Sequence, residues 1–195
     1  SVAFADNDAR QVMANFRQVR PTFIVGVPFM YERLHSGILS MIPGMFMVKK
    51  AMMKMALQVS LLNVPNTCEN RPRTGFFKKQ YDFFDRHVYG GLKKEIGLDR
   101  LECALSCGAP LAISDAEFFL GLAIPVLDCY GLAEASPVTH MNIPGRIRPG
   151  TVGLPLPETR VIISDDGECL VRGPQVMSTY HRDKKAAKDI LTKDG

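Results

Sequence analysis

Three short apolar runs constrain this chain more than any other feature: Thr22-Phe-Ile-Val-Gly-Val27, Leu101-Glu-Cys-Ala-Leu-Ser106 and Ile124-Pro-Val-Leu-Asp-Cys129. Each has the length of a strand. Each is followed by proline or glycine: Pro28, Gly108-Ala-Pro110 and Gly131. The first, Thr22 to Val27, is continuous, apolar and β-branched, which is the mark of a buried strand. Helical patterns separate the runs, and alternation of helix with strand favours a parallel sheet with helices packed on it. The expected fold is therefore α/β, a largely parallel sheet flanked by helices.

Hydrophobic periodicity supplies the helices. Residues 6–19 read as one, with Val12, Met13, Phe16 and Val19 at helical spacing and Asp6 or Asp8 as cap candidates. Phe29 to Leu39 reads as a second, stopped by Pro43-Gly44. Residues 45–62 are a methionine-rich amphipathic segment carrying Lys49, Lys50 and Lys54. Two readings fit it. A basic amphipathic helix can lie on a membrane surface; an apolar stripe can equally pack on a sheet, with methionine filling gaps, and this second reading is preferred. Residues 64–75 carry loop chemistry, and residues 76–96 read as helix with an interruption expected at Gly90-Gly91. Ser114 is expected to cap a helix through Leu122, with Glu117 completing a capping box.

The character of the chain changes at about residue 144. Proline and glycine punctuate Ile143-Pro-Gly-Arg-Ile-Arg-Pro-Gly-Thr-Val-Gly-Leu-Pro-Leu-Pro157. Two strands follow, Thr159–Ser164 and Glu168–Arg172, around the hairpin turn Asp165-Asp-Gly167. A short charged helix runs from Asp183 to Leu191. The expected organisation is an α/β subdomain over 1–143 and a small β-rich subdomain over 144–195, both of them partial.

Charge narrows the choice of partner. The 195 residues carry 24 basic and 20 acidic side chains, a net charge of +4, with the signs interspersed. No dense one-sided basic surface is implied, so nucleic acid is not an expected partner. The five cysteines are Cys68, Cys103, Cys107, Cys129 and Cys169. They are odd in number and lack Cys-x-x-Cys spacing, which points to reduced thiols in an intracellular compartment. The expected location is cytoplasmic, or peripheral on a membrane through residues 45–62. No uninterrupted apolar run is long enough to span a bilayer.

The function question centres on Asp128-Cys-Tyr-Gly-Leu-Ala-Glu-Ala-Ser-Pro137. Ligands of open parallel sheets bind beyond the carboxyl ends of the strands. Parallel alignment would bring Val27-Pro28, Ser106 to Pro110 and Asp128 to Gly131 to one edge. Tyr130 can lie flat against a ligand ring there. Gly108 and Gly131 let backbone approach a ligand, and Glu134 can hold a hard cation. His35 and His140 have no nucleophile beside them in sequence and are assigned packing or surface roles.

Tyr130-Gly-Leu-Ala-Glu134, preceded by Ser106-Cys-Gly-Ala-Pro-Leu111, resembles the adenylate-forming superfamily, and within it the long-chain fatty acyl-CoA synthetases. Arg20-Pro-Thr22, Val27-Pro-Phe-Met-Tyr-Glu-Arg33, Arg148-Pro-Gly-Thr-Val-Gly-Leu-Pro-Leu-Pro157 and Gly167-Glu-Cys-Leu-Val-Arg-Gly-Pro-Gln-Val-Met177 follow the family's order. The resemblance implies an acid–thiol ligase: a carboxylic acid reacts with ATP to give an acyl-adenylate, and coenzyme A displaces AMP. It places Gly108, Ala109 and Pro110 along the adenine and Tyr130 stacked on it. It assigns Asp128, Cys129, Gly131 and Ala133 to the same nucleotide site, and it implies that Glu134 is the catalytic residue, holding magnesium against the phosphates.

Three positions depart from the pattern. Ala133 stands where the family has a hydroxyl residue that contacts the α-phosphate, and Cys107 and Thr179 stand at common glycine positions. The phosphate loop is expected before Ser1; the ribose-binding segment and the lid are expected after Gly195. The chain therefore resembles an internal piece of the large N-terminal domain, inactive by itself. The alternatives are an adenylate former for another acid or for an acyl carrier protein, and a non-catalytic relative that binds nucleotide or acyl-adenylate.

Overall fold

The computed structural model describes residues 2–4 and 11–192. The helix expected over 6–19 is seen as α1, Val12–Val19. The cap candidates Asp6 and Asp8 lie outside the described residues. The chain continues through β1 (Phe23–Gly26), α2 (Pro28–Met41), α3 (Met47–Leu62), α4 (Val64–Cys68) and α5 (Gly75–Phe84). A π-helical turn (Asp85–Tyr89) joins α5 to α6 (Gly90–Ile96). Then come β2 (Cys103–Ser106), α7 (Ile113–Gly121), β3 (Val126–Tyr130), a 3-10 turn (Ala133–Ala135), β4 (His140–Met141) and β5 (Leu154–Pro155). A hairpin, β6 (Arg160–Ile163) and β7 (Cys169–Arg172), and α8 (Lys184–Ile190) follow.

The main sheet has the order β1-β2-β3-β4-β5. Its first three strands are parallel, with Gly26 opposite Ser106 and Ser106 opposite Asp128. β4 and β5 extend it antiparallel, Tyr130 pairing with His140 and Met141 with Leu154. The three carboxyl ends therefore stand side by side. β6 and β7 form a separate two-stranded sheet, Ile163 opposite Cys169. Asp183 caps α8 by accepting from the Ala186 amide at 3.0 Å.

The core lies around α7, whose Phe118, Phe119 and Leu120 are buried together with Leu122 and Ile124 just beyond it. α3 packs along α7 through Met53, Ala56 and Val59, so its apolar stripe meets a helix where the packing reading expected the sheet, and Val48, Met55 and Leu62 of the expected stripe stay exposed. Three buried tyrosines carry their hydroxyls to backbone carbonyls: Tyr31 to Leu105 at 2.7 Å, Tyr81 to Gly121 at 3.0 Å and Tyr89 to Ala56 at 2.5 Å. Each ring is apolar payload, and each hydroxyl would be costly if left unpaired. Burial pushes the Tyr81 phenol up to about 12.

Four local expectations are corrected. β1 is not a fully buried strand: Ile24 is covered, but Phe23 and Val25 are exposed, because β1 is an edge strand of the described sheet. Residues 64–75 are not loop throughout, since Val64–Cys68 makes a helical turn with Pro65 in its first positions. Buried Asn63 holds that turn: its amide donates to Thr67 Oγ1 at 3.0 Å and to the Gly121 carbonyl at 3.3 Å. Arg73 Nε donates to its carbonyl at 2.6 Å. Helix continues through Gly90-Gly91; the irregularity is the π turn just before them, where Tyr89 is tied to α3. Finally, Ser114 does not cap α7, whose N-cap is Ala112. The helix begins a residue before Ser114, and its first-turn acid, Asp115, is buried against His35, with Nδ1 and Oδ1 at 2.6 Å. His35 also stacks on Phe118 at 3.9 Å between ring centres.

Candidate nucleotide site at the strand ends

The edge formed by the three carboxyl ends is built from the residues that break the strands. At the end of β2, Ser106 is fully buried; Cys107 just beyond it is half-buried, and the chain then emerges at Gly108, Ala109 and Pro110. Gly108 has φ +94°, a conformation that side-chain-bearing residues rarely adopt, while a Cβ there would meet nothing within 4 Å. The glycine is required by the backbone, and the space beside it is open.

Along β3 the alternation of side chains places Asp128 and Tyr130 on one face and Cys129 on the other. Ser106 is in register with Asp128. Asp128 Oδ2 accepts from the Leu111 amide at 3.3 Å, which ties the segment after Pro110 to β3. Its Oδ1 is buried without a partner, and so is Ser106 Oγ. Burial pushes the Asp128 carboxyl up, partly offset by the Leu111 and Cys129 amides. Two orphaned polar atoms in register at one sheet edge are costly in a finished core and natural where a ligand supplies the partner.

Tyr130 is half-buried, its ring 5.8 Å from His140 across the β3–β4 pair at 57°. His140 accepts or donates at Nδ1 with Thr139 Oγ1, 2.9 Å away, and burial lowers its basicity. The space beside Gly131 is taken by the chain itself, because a Cβ there would lie 1.8 Å from the Pro137 carbonyl oxygen. Its missing side chain thus serves the turn after β3, a reason distinct from ligand approach. Ala133 opens the 3-10 turn and is exposed.

Glu134, in the same turn, is half-buried and is held by two partners from beyond the hairpin. Tyr180 donates its hydroxyl to Oε1 at 2.5 Å, and the Met177 amide donates to the Glu134 carbonyl at 2.7 Å. The Tyr180 bond holds the carboxyl below its ordinary range, so it stays anionic at neutral pH. A cavity of about 360 Å³ lies beside it, lined by Leu132, Glu134, Arg160, Ile162, Arg172 and Val176. Among the described residues no group of three or more His, Cys, Asp or Glu could hold a metal ion by itself. A lone anionic carboxylate fits magnesium in the way that ion is often held, by one or two carboxylates with phosphates and water completing the shell.

Sequence reasoning placed Val27-Pro28, Ser106 to Pro110 and Asp128 to Gly131 at one edge, and the parallel register sets those three strand ends side by side. Ala133 and Glu134 follow in the turn just beyond β3, whereas the side chain of Cys129, expected in the same site, lies on the opposite face of the sheet from Asp128 and Tyr130. Sequence reasoning missed Tyr180, for which no local signal exists. It also missed Asn142, which holds the loop after β4. Asn142 donates to the Thr151 carbonyl at 2.6 Å and accepts from the Arg148 amide at 2.9 Å, and its own backbone amide bonds Asp128 O at 3.1 Å. Polar asparagine after the two-residue strand His140–Met141 gave no hint of that. The arrangement offers a flat aromatic face, a buried acceptor and an anionic carboxylate along one edge. It can hold a heteroaromatic ring and, through a divalent cation, a polyanion attached to it.

Comparison with known proteins follows the same line. Residues 1–181 match the family model described as AMP-binding enzyme. A Mycobacterium tuberculosis protein designated a fatty-acid–CoA ligase, fadD11, is 31% identical over 96% of this chain and 33% of its own length. Peroxisomal long chain acyl-CoA synthetase 7 of Arabidopsis thaliana is 28% identical over all of this chain and 28% of its own. The chain thus spans about a third of the length of the curated relatives it matches. Among solved structures, a benzoate CoA ligase from Burkholderia xenovorans superposes with TM-score 0.55 at 18% identity, over 96% of this chain and 30% of that one. The O-succinylbenzoate coenzyme A synthetase of Bacillus subtilis, solved in complex with ATP and magnesium, gives 0.53 at 16% identity, over 95% and 30%. At these identities the structures establish the shared fold.

Proposed function

We propose, from the premise that the chain belongs to the AMP-binding enzyme family, that it is part of an ATP-dependent fatty acid–CoA ligase acting on long-chain acids. The observation that carries the reading is the strand-end edge, where half-buried Tyr130, the unpartnered Oδ1 of buried Asp128 and anionic Glu134 stand together. In this reading Tyr130 stacks on adenine, and Gly108, Ala109 and Pro110 line the ring. Asp128 accepts from its exocyclic amine, and Glu134 is the carboxylate for magnesium. Bound magnesium supplies charge neutralisation on the phosphates. The chain's own part is to orient the nucleotide and to keep Glu134 ionised through Tyr180. The long-chain assignment is supported by the fatty-acid CoA ligase relatives, and coenzyme A as acceptor by the same likeness.

Ala133 favours a second reading, a relative that binds nucleotide or acyl-adenylate without turnover, because a methyl group donates no hydrogen bond to the α-phosphate. One such donor is worth about 3 kcal/mol of barrier in comparable sites. Membrane contact through 45–62 is a further proposal, supported by exposed Phe46, Met47 and Val48 beside Lys49. Among the described residues no helix is long and apolar enough to cross a membrane.

ATP–pyrophosphate exchange on the full-length protein, with a panel of long-chain and aryl acids, tests the reading. Glu134→Gln is expected to lower exchange about 100-fold or more. Exchange with aryl acids alone would remove the fatty-acid assignment. No exchange in the native protein, with AMP still binding and activity gained in Ala133→Thr, would establish the second reading.

A further inference from the structure

The two sulfur atoms at the strand-end edge stand closer than unbonded sulfurs sit. Cys107 Sγ and Cys129 Sγ are 2.6 Å apart. Each cysteine follows directly on the last pair of the ladder, Ser106 with Asp128, so the two stand one residue beyond it on adjacent strands, which lie about 4.8 Å apart. That spacing is within the range of Cα separations a disulfide spans. The two thiols differ in reach. Cys107 is half-buried, whereas Cys129 is 5% exposed, and its thiol donates to the Ser106 carbonyl at 3.1 Å. Burial, followed by Cys107 itself, pushes the Cys129 thiol up to about 12, and Cys107 is the sulfur that an oxidant from solvent reaches.

We propose that Cys107 and Cys129 are a redox-sensitive dithiol that closes to a disulfide under peroxide and weakens nucleotide binding at the strand-end edge. The Cys107 thiolate attacks one oxygen of hydrogen peroxide; the S–O bond forms, the O–O bond breaks and hydroxide leaves. Cys129 then attacks the Cys107 sulfur and gives up its proton; the S–S bond forms, the S–O bond breaks and water departs. Two thiols lose two electrons and two protons, and one peroxide becomes two waters. A small dithiol reverses the bond by exchange.

The consequence for the site, which rests on the nucleotide reading above, comes from position. Cys107 immediately precedes Gly108-Ala109-Pro110, and Cys129 immediately precedes Tyr130. A disulfide needs a torsion of roughly 90° about its S–S bond. Two strands held flat in register do not supply it. β3 is fixed by pairing on both sides, so the adjustment falls on the segment after Cys107, where the space around Gly108 is open. The adenine-lining backbone therefore moves when the bond forms.

The full-length protein is treated with hydrogen peroxide, alkylated, digested without reductant and mapped by mass spectrometry, while AMP binding is followed by calorimetry. The expected result is a cross-linked pair of peptides containing Cys107 and Cys129, with AMP affinity lowered about tenfold and restored by dithiothreitol. Cys107→Ser should keep AMP affinity and lose the peroxide response, whereas Cys103→Ser should keep the response. Cross-linking to another cysteine, over-oxidation of Cys107 alone, or a cross-link that leaves AMP affinity within about twofold overturns the proposal. Should the reduced protein fail to bind AMP, the nucleotide reading itself fails. The dithiol is then judged by melting: closing a loop between residues 22 apart raises Tm by several degrees if the bond forms, and an unchanged Tm overturns it.

Discussion

The parallel half of the molecule and the segment beyond β4 are held together by different means. From α1 to β3 the chain is built around α7, with Tyr31, Tyr81, Tyr89 and Phe119 at 2% exposure or less. Beyond β4 the strands are short, and the hairpin leaves Ile162 at 65% and Ile163 at 64% exposed. That second region is fastened by single polar contacts: Asn142 at the sheet edge, Tyr180 on Glu134, and Gln175 on Thr159 Oγ1 at 2.6 Å. Apolar packing spreads its free energy over many neighbours, whereas a polar latch concentrates it in one or two bonds. The candidate site lies at the seam, so Asp128 and Tyr130 sit on a strand of the packed half and the Glu134 carboxylate is positioned by the lightly held part.

The comparison breaks most sharply in the core. Phe119→Ala should cost about 3–5 kcal/mol by denaturant unfolding, since a fully buried ring leaves a cavity that the surrounding helices fill only in part. A cost below about 1 kcal/mol would mean that α7 is not the centre of the packing. Asn142→Ala comes next, at about 1–3 kcal/mol, because it strands the Arg148 amide and the Thr151 carbonyl. Hydrogen exchange should rise between β4 and β5 while α7 stays protected.

The pH dependence of Asp128 follows. Its folded carboxyl is raised by burial, so the folded state binds its proton more tightly than the unfolded state. Stability is therefore highest below the ordinary carboxylate range and falls as pH rises through the folded value. Asp128→Asn should flatten that fall, seen as a higher urea midpoint at neutral pH and little difference in acid. An unchanged profile would place the pH dependence elsewhere. Tyr180→Phe should let the Glu134 carboxyl titrate at higher pH by NMR, because the hydroxyl that holds it down is gone. Global stability should barely move. The smallest effect belongs to the hairpin: Ile162→Thr should stay within about 0.5 kcal/mol of the native protein.

Much of the fold was legible in residue order. Apolar runs ending in proline or glycine named β1, β2 and β3. Three-to-four-residue spacing named α2 and α3, and Asp-Gly named the turn between β6 and β7. These signals are local, set by backbone sterics and by the face each side chain must bury. The expectations that failed were those decided by distant partners. Ser114 had the right chemistry for a cap, but α7 begins earlier. The stretch after Asn63 had loop composition, yet it turned helical because buried Asn63 anchors it to Gly121. The site divides in the same way: Tyr130 and Glu134 were visible as an unusual pair at a strand end, whereas Tyr180 became relevant only when the chain returned.

The sequence by itself determined the strand ends, their residue chemistry and the family, because strand, turn and motif are written over a few neighbouring residues. Tertiary structure alone decided which ends meet, that Asp128 keeps an unpaired oxygen and that Tyr180 reaches Glu134 across 46 positions. It also decided that two cysteines 22 residues apart face each other. Such contacts depend on register and packing, which place residues together irrespective of their distance along the chain.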